Sequence, residues 1–344
     1  MRALVIHKAK DLRIEERQIP LPGPGQIKIK VAVGGICGSD LHYYNNGGFG
    51  PITLKEPMVP GHEFSGYADQ IGEGVEGFEP GELMVISPSR PCGDCRFCNE
   101  GLLNQCLNMR FYGSAMPYPH IQGAFQEELI VDASQCVRAE GLTPGEAAMA
   151  EPLSVALHAT RRAGEMLGKR VLITGCGPIG ALCIVAARRA GAAEIVVTDL
   201  VPNALEYALL AGADKVINMA EEPDGLSPYL ADKGSFDVLF ECTGAPQALA
   251  GAIPALRPRA VIMQLGLGGD MPVPMMQITA KELEIRGSFR FHEEFALAVK
   301  LMQSGLVDVK PLISHSFPID QAEQAFEVAS DRAQAMKAQI IFAN

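Results

Sequence analysis

Hydrophobic and polar positions divide the chain into two textures. Through residues 1–150 the apolar runs are short, Ile27–Val33 and Leu83–Ile86 among them, and turn-forming clusters such as Pro22-Gly23-Pro24-Gly25 and Pro80-Gly81 separate them. That pattern predicts a β-rich domain with irregular loops. From about Pro152 onward, short apolar runs alternate with Ala-rich helical stretches. Strands are predicted at Val171–Thr174, Ile195–Thr198, Val216–Ile217, Val238–Glu241, Val261–Leu265 and Glu284–Gly287. Helices are predicted at Ile179–Ala190, Ala204–Ala211 and Pro246–Leu256. Alternating strand and helix is the signature of an α/β doubly wound parallel sheet. Beyond Ser288 the segment Phe295–Ser304 reads as one more amphipathic helix, and the apolar tail Gln339–Ala343 is expected to return to the first domain. The sequence has no internal repeat and no low-complexity segment.

The first predicted strand of the second domain runs straight into Gly175-Cys176-Gly177-Pro178-Ile179-Gly180, which opens a helix. Glycines there permit a tight turn and let a pyrophosphate approach backbone N–H groups at a helix N-terminus. A Gly-x-Gly-x-x-Gly match alone is weak. Here a strand precedes it, a helix follows it, and Asp199 ends the next strand, as a dinucleotide site requires. Asp199 can accept hydrogen bonds from both ribose hydroxyls of NAD and would repel the 2′-phosphate of NADP. No Arg or Lys follows it until well past the turn, so the sequence predicts NAD as cofactor, with NADP as the lesser possibility. The strand end Leu265-Gly266-Leu267 and the pair Phe289-Arg290 are further candidate cofactor contacts.

Composition narrows the partners. The chain has 344 residues, long enough for two domains, and a formal net charge of -11. Phosphate-backbone binding calls for a surplus of Lys and Arg, so a nucleic-acid partner is not expected. The N-terminal stretch does not read as a signal peptide, and no apolar run approaches the roughly 18–20 residues that span a bilayer. Nine cysteines without a secretory signal suggest thiols and metal ligands in a reducing cytoplasm.

Four of those cysteines, Cys92, Cys95, Cys98 and Cys106, form C-x2-C-x2-C-x7-C within one loop. Four crowded thiolates suit a closed, structural tetrahedral zinc site. Spacing alone leaves an iron–sulfur cluster open. A second set is dispersed: Cys37, the pair His62-Glu63, and Glu151. A mixed sulfur, nitrogen and oxygen set with a free position suits catalytic zinc.

The order and spacing of these segments, over essentially the whole chain, resemble the zinc-containing medium-chain alcohol and polyol dehydrogenases. The resemblance implies a GroES-like β-rich catalytic domain over about 1–153 and 289–344. It implies a Rossmann domain over about 154–288, with the active site in the cleft between them. It also implies two zinc ions per chain: a structural one on the cysteine loop and a catalytic one on Cys37, His62 and Glu63, with Glu151 a ligand directly or through water. The expected reaction is reversible oxidation of a secondary alcohol, with hydride passing to the nicotinamide and protons leaving through a relay that includes Ser39 and His42. Ethanol-type members have a second cysteine ligand where this chain has Glu151, so the likeness is to the sorbitol-type branch. Some sorbitol dehydrogenases lack the cysteine loop that this chain keeps.

Within the branch, Gly34–Tyr44, Asn108–Met116, Pro119-His120 and Gly287–Phe291 resemble the dehydrogenases of L-idonate. Asn108–Met116 carries most of that weight, because sorbitol dehydrogenases do not share it. The implied substrate is a small sugar acid, L-idonate going to 5-keto-D-gluconate, with Tyr43, Arg110, His120, Glu151 and Arg290 around it. Arg110 is the favoured carboxylate partner, since a guanidinium grips a carboxylate with two parallel bonds. The competing readings are a sorbitol- or xylitol-type polyol dehydrogenase, a non-enzymatic zinc-binding or redox-sensing protein, and a nucleic-acid module on the cysteine loop. The last would need a basic face, and that region offers only scattered Arg90, Arg96 and Arg110. By analogy with relatives, a homo-oligomer, a tetramer, is expected.

Overall fold

The structure, a computed structural model, describes residues 1–343. The chain forms two compact units: Met1–Glu151 with Phe295–Asp331 and Lys337–Asn344, and Pro152–Glu294 with Arg332–Met336.

The first unit is built on a sheet ordered Cys136–Arg138, Leu83–Ile86, Glu63–Ile71, Gln26–Gly35, Lys337–Ile341, Ile313–Pro318, with Glu128–Asp132 also paired to Gln26–Gly35. The tail Lys337–Ile341 lies antiparallel to Gln26–Gly35, with Ile340 opposite Gly34. Leu4, Ile6, Ile27, Ile29, Val31, Phe64, Phe125, Phe326 and Ile340 fill its core. The register sets Gly35 against Glu63. A Cβ on Gly35 would collide with Glu63 Oε2, so only glycine lets that carboxylate lie over the neighbouring strand.

The second unit carries six parallel strands. Across the sheet they run Lys215–Asn218, Glu194–Asp199, Arg170–Thr174, Phe236–Glu241, Leu256–Gln264 and Glu284–Gly287. Numbered along the chain, this is the order 3-2-1-4-5-6 of a Rossmann sheet. Its central strands read as unbroken apolar runs because both faces are buried. Leu172, Val196, Ile217, Leu239 and Ile262 lie in its core.

The predicted strands and helices are present with shifted ends. The helix expected over Pro246–Leu256 stops at Ala252 and tightens into a 3-10 turn, Ile253–Ala255. Pro254 has no N–H to continue the ladder, and its ring disfavours helix for the residue before it. Helix Ala150–Ala163 spans the passage from one unit to the other. Pro152 is tolerated there because the N–H it lacks belongs to the unpaired first turn. Residues 332–336 cluster with the second unit, an excursion that periodicity does not signal. Among the described residues no helix is long and apolar enough to cross a membrane.

Candidate active site and metal centres

The cysteine loop brings four sulfurs together. The ligand atoms of Cys92, Cys95, Cys98 and Cys106 all lie within 4.8 Å of one another. Separations are 3.5 Å for Cys95–Cys98, 4.0 Å for Cys95–Cys106 and 3.5 Å for Cys92–Cys106. A tetrahedron with zinc–sulfur bonds of ~2.3 Å has edges of about 3.8 Å. The loop also donates to its sulfurs: Cys92 N–H and Asn108 N–H reach Cys106 Sγ at 3.2 and 3.3 Å. Backbone N–H groups of Cys98 and Leu107 pull the Cys95 thiol down to about 6. N–H donors favour thiolates, the form that binds a metal. The loop therefore fits a four-thiolate zinc.

The second cluster draws on three elements of the first unit. Cys37 caps the helix Gly38–Asn46 just beyond the strand Gln26–Gly35, while His62 and Glu63 stand at the start of Glu63–Ile71. The ligand atoms of Cys37, His62 and Glu63 lie within 4.8 Å of one another. Asp40 is fully buried and ties the pieces together, accepting from Cys37 N–H and Gly61 N–H at 3.0 Å each. Its Oδ1 stands 3.8 Å from His62 Nδ1, a buried nitrogen with no hydrogen-bond partner. Lys337 Nζ lies 2.9 and 2.6 Å from the two oxygens of Glu63 and donates to Ile36 O at 3.1 Å.

The electrostatics of this cluster call for a further cation. Burial, then Glu63, pushes the Cys37 thiol up to about 12. Burial pushes the Glu151 carboxyl up to about 8, with His62 opposing and Glu63 and Cys37 adding to the rise. Burial works against the charge of Lys337, yet Glu63 and Cys37 outweigh it and hold the ammonium. Cys37, Asp40, Glu63 and Glu151 thus face one ammonium and one imidazole. A divalent cation would stabilise the thiolate and the three carboxylates, so the residues present fit a metal.

In the second unit, Gly175 adopts φ +83°, and a Cβ there would press on Thr243. A Cβ on Gly180 would strike Gly175 O. Gly177 caps the helix Pro178–Arg189, and a Cβ on it would meet nothing within 4 Å. No protein atom demands glycine at 177. The open space in front of a helix N-terminus is what a pyrophosphate uses.

The alcohol dehydrogenase GroES-like domain family matches residues 23–141, and the zinc-binding dehydrogenase family matches residues 178–304. L-idonate 5-dehydrogenase (NAD(P)(+)) of Escherichia coli is 42% identical over 340 residues, 98% of each chain. Human sorbitol dehydrogenase is 36% identical over 94% of this chain and 91% of its own. The crystal structure of the Escherichia coli L-idonate 5-dehydrogenase superimposes with a TM-score of 0.95 at 41% identity, covering 99% of this chain and 97% of that one. The chain belongs to the zinc-containing medium-chain alcohol and polyol dehydrogenases.

In this medium-chain dehydrogenase, several predicted site residues are placed otherwise than expected. His120 is buried, and both ring nitrogens are engaged: Nε2 accepts from Lys55 N–H at 2.8 Å, and Nδ1 donates to Pro117 O at 2.9 Å. It braces a loop and has no nitrogen left for a substrate. Arg110 is exposed and adjoins Phe111, whose ring lies 5.4 Å from that of His62. Neighbours on a strand point to opposite faces, so Arg110 is directed away from His62. Tyr43 is buried and its hydroxyl accepts from Ala115 N–H at 3.1 Å. Ser39 is half-buried, with its N–H on the Cys37 thiol, while His42 is exposed beside Phe49. Among the described residues no hydrogen bond joins Ser39 to His42. Leu265 and Gly266 donate backbone N–H to Glu241 O at 2.9 Å each, and Leu267 is exposed. Arg290 adopts φ +55° with its guanidinium 4.9 Å from the Phe289 ring.

Three residues were missing from the sequence reading: Asp40, Lys337 and Arg332. The last supplies, from 133 positions away, the cation that the residues directly following Asp199 do not. Arg332 Nη2 donates to Asp199 Oδ2 at 2.7 Å.

Proposed function

We propose that this enzyme catalyses the reversible oxidation of L-idonate to 5-keto-D-gluconate with a nicotinamide cofactor, holding two zinc ions per chain. The 42% identity to an L-idonate 5-dehydrogenase over 98% of both chains carries the substrate assignment. Intact ligand sets support the enzymatic reading over a non-enzymatic zinc protein: no residue of either cluster is missing.

Zinc, when bound, supplies a Lewis acid for the substrate hydroxyl, and the nicotinamide supplies the hydride acceptor. Cys37, His62 and Glu63 would hold the catalytic ion. Asp40 fixes the helix start at Cys37 and the turn at Gly61, and so sets the distance between those ligands. Lys337 offsets the charge of Glu63 and keeps its carboxylate in place. Burial raises the Glu151 carboxyl and a bound cation would lower it again, so its carboxyl oxygen is the group proposed to take up or release the proton beside Cys37, His62 and Glu63. Cys92, Cys95, Cys98 and Cys106 would hold the second ion as a closed structural site.

We also infer a homo-oligomer. Glu284–Gly287 is an edge strand with Ile285 46% exposed, and an uncovered apolar edge is a pairing surface. All nine cysteines are free thiols, which supports a reducing compartment, the cytoplasm. The runner-up is a neutral-polyol dehydrogenase, supported by the 36% identity to sorbitol dehydrogenase. A panel of kcat/KM values for L-idonate, sorbitol and xylitol separates them. The proposal expects L-idonate to be preferred, and faster turnover of sorbitol or xylitol overturns it.

A further inference from the structure

Asp199 ends the second Rossmann strand, where a dinucleotide places its adenosine ribose. Its carboxylate is already saturated. Oδ1 accepts from Leu200 N–H at 2.7 Å and Val201 N–H at 3.0 Å; Oδ2 accepts from Cys176 N–H and from Arg332 Nη2, both at 2.7 Å. The two side chains differ sharply in exposure, 3% for Asp199 and 54% for Arg332. Asp199 is a fixed fixture of the turn, and Arg332 is a half-solvated lid on one of its oxygens. The segment carrying Arg332 is itself tied down, because Asn203 Nδ2 donates to Arg332 O at 3.4 Å.

This pair changes the charge that a ribose would meet. A lone Asp199 repels a 2′-phosphate. Asp199 paired with Arg332 is neutral overall, and a guanidinium that gives one N–H to a carboxylate has four left for phosphate oxygens. A 2′-hydroxyl, by contrast, must displace Arg332 from Oδ2 or share that oxygen with it.

We propose that Arg332 is the 2′-phosphate receptor of this site, and that the Asp199–Arg332 pair allows one site to take both NAD and NADP. The proposal rests on the reading of Gly175–Gly180 as the pyrophosphate turn, and it names the residue that sets cofactor choice. With NADP the guanidinium turns its free N–H groups to the phosphate while Asp199 stays on Cys176, Leu200 and Val201. With NAD the same arm yields Oδ2 to the ribose.

The test is equilibrium binding to the full-length zinc-loaded protein. NADH and NADPH are titrated by nicotinamide fluorescence, and 5′-AMP and 2′,5′-ADP by calorimetry. Wild type, Arg332→Ala and Arg332→Lys are compared. Wild type should bind NADPH within about tenfold of NADH. Arg332→Ala should lower the ratio of NADPH to NADH affinity, and of 2′,5′-ADP to 5′-AMP affinity, by about ten- to hundredfold, the worth of a charge-assisted bond. Arg332→Lys should recover part of that loss. An Arg332→Ala variant that weakens both cofactors equally, or neither, overturns the proposal. Wild type that binds NADH but rejects NADPH also overturns it while leaving the dinucleotide site standing. Wild type that binds neither overturns the dinucleotide site itself.

Discussion

Lys337 Nζ lies 2.6 Å from Glu63 Oε2, and both side chains are almost wholly buried, at 2% and 1% exposure. The two residues are 274 positions apart, so the C-terminal strand is fastened to the metal cluster by a charge pair as well as by its ladder. Removing one partner of a buried pair strands the other charge and costs about 3–5 kcal/mol. Zinc is the other cation that can face Glu63. Lys337→Met should therefore lower the melting temperature of chelator-treated protein much more than that of zinc-loaded protein. Thermal unfolding of variant and wild type, each with and without chelator, checks this. Equal losses in both states would show that Lys337 and the metal do not share Glu63.

The cysteine loop makes a separate prediction. Its short helix Arg96–Asn99 and 3-10 turn Leu103–Gln105 are too small to persist without a cross-link, and a structural zinc contributes its binding energy to folding. Cys95→Ser should reduce zinc content from two toward one per chain and lower thermal stability. Metal analysis and a melting curve on the same sample measure both. Two retained zincs with unchanged stability would remove the loop from the list of metal sites.

These two sites show what sequence could and could not reveal. The cysteine loop and the glycine turn were legible because their parts lie within a few residues of one another, where spacing encodes geometry. Cys37, His62, Glu63 and Glu151 could be collected only by resemblance, since three separate elements bring them near. Asp40 was visible in Gly38-Ser39-Asp40, but nothing in its spacing tells that it would bridge Cys37 and Gly61. Lys337 and Arg332 sit in the C-terminal segment, and long-range charge pairs leave no periodic trace. His120 and Arg110 were chosen because their residue types suit a carboxylate; hydrogen-bond satisfaction and strand alternation, which sequence does not display, engage both His120 ring nitrogens and set an exposed Arg110 beside buried Phe111.

Glu294 supplies a pH-dependent prediction in the second unit. It is 4% exposed and accepts from Arg161 Nη1 at 2.8 Å and His292 N–H at 3.0 Å, with His158 Nδ1 at 3.3 Å. Burial alone would raise its pKa, but the hydrogen bonds from His158 and His292 outweigh burial and hold it at about 2, against an ordinary 4.5. A depressed carboxyl stabilises the fold above its unfolded pKa and loses that contribution as pH falls toward the folded value. The shift corresponds to on the order of 3 kcal/mol. Glu294→Gln should be clearly less stable than wild type at neutral pH, and the gap should shrink as pH falls from about 5 to about 2. Denaturant unfolding across that range reads it, and a gap independent of pH would assign the loss to packing instead.

The cluster of Cys37, His62 and Glu63 is the centre of the proposed chemistry. The decisive measurement is nicotinamide-dependent turnover of L-idonate by His62→Ala, with NADH binding followed on the same preparation. Turnover should fall to background while NADH still binds, because the glycine turn and Asp199 lie in a separate unit. Substantial turnover by metal-free His62→Ala would contradict that chemistry.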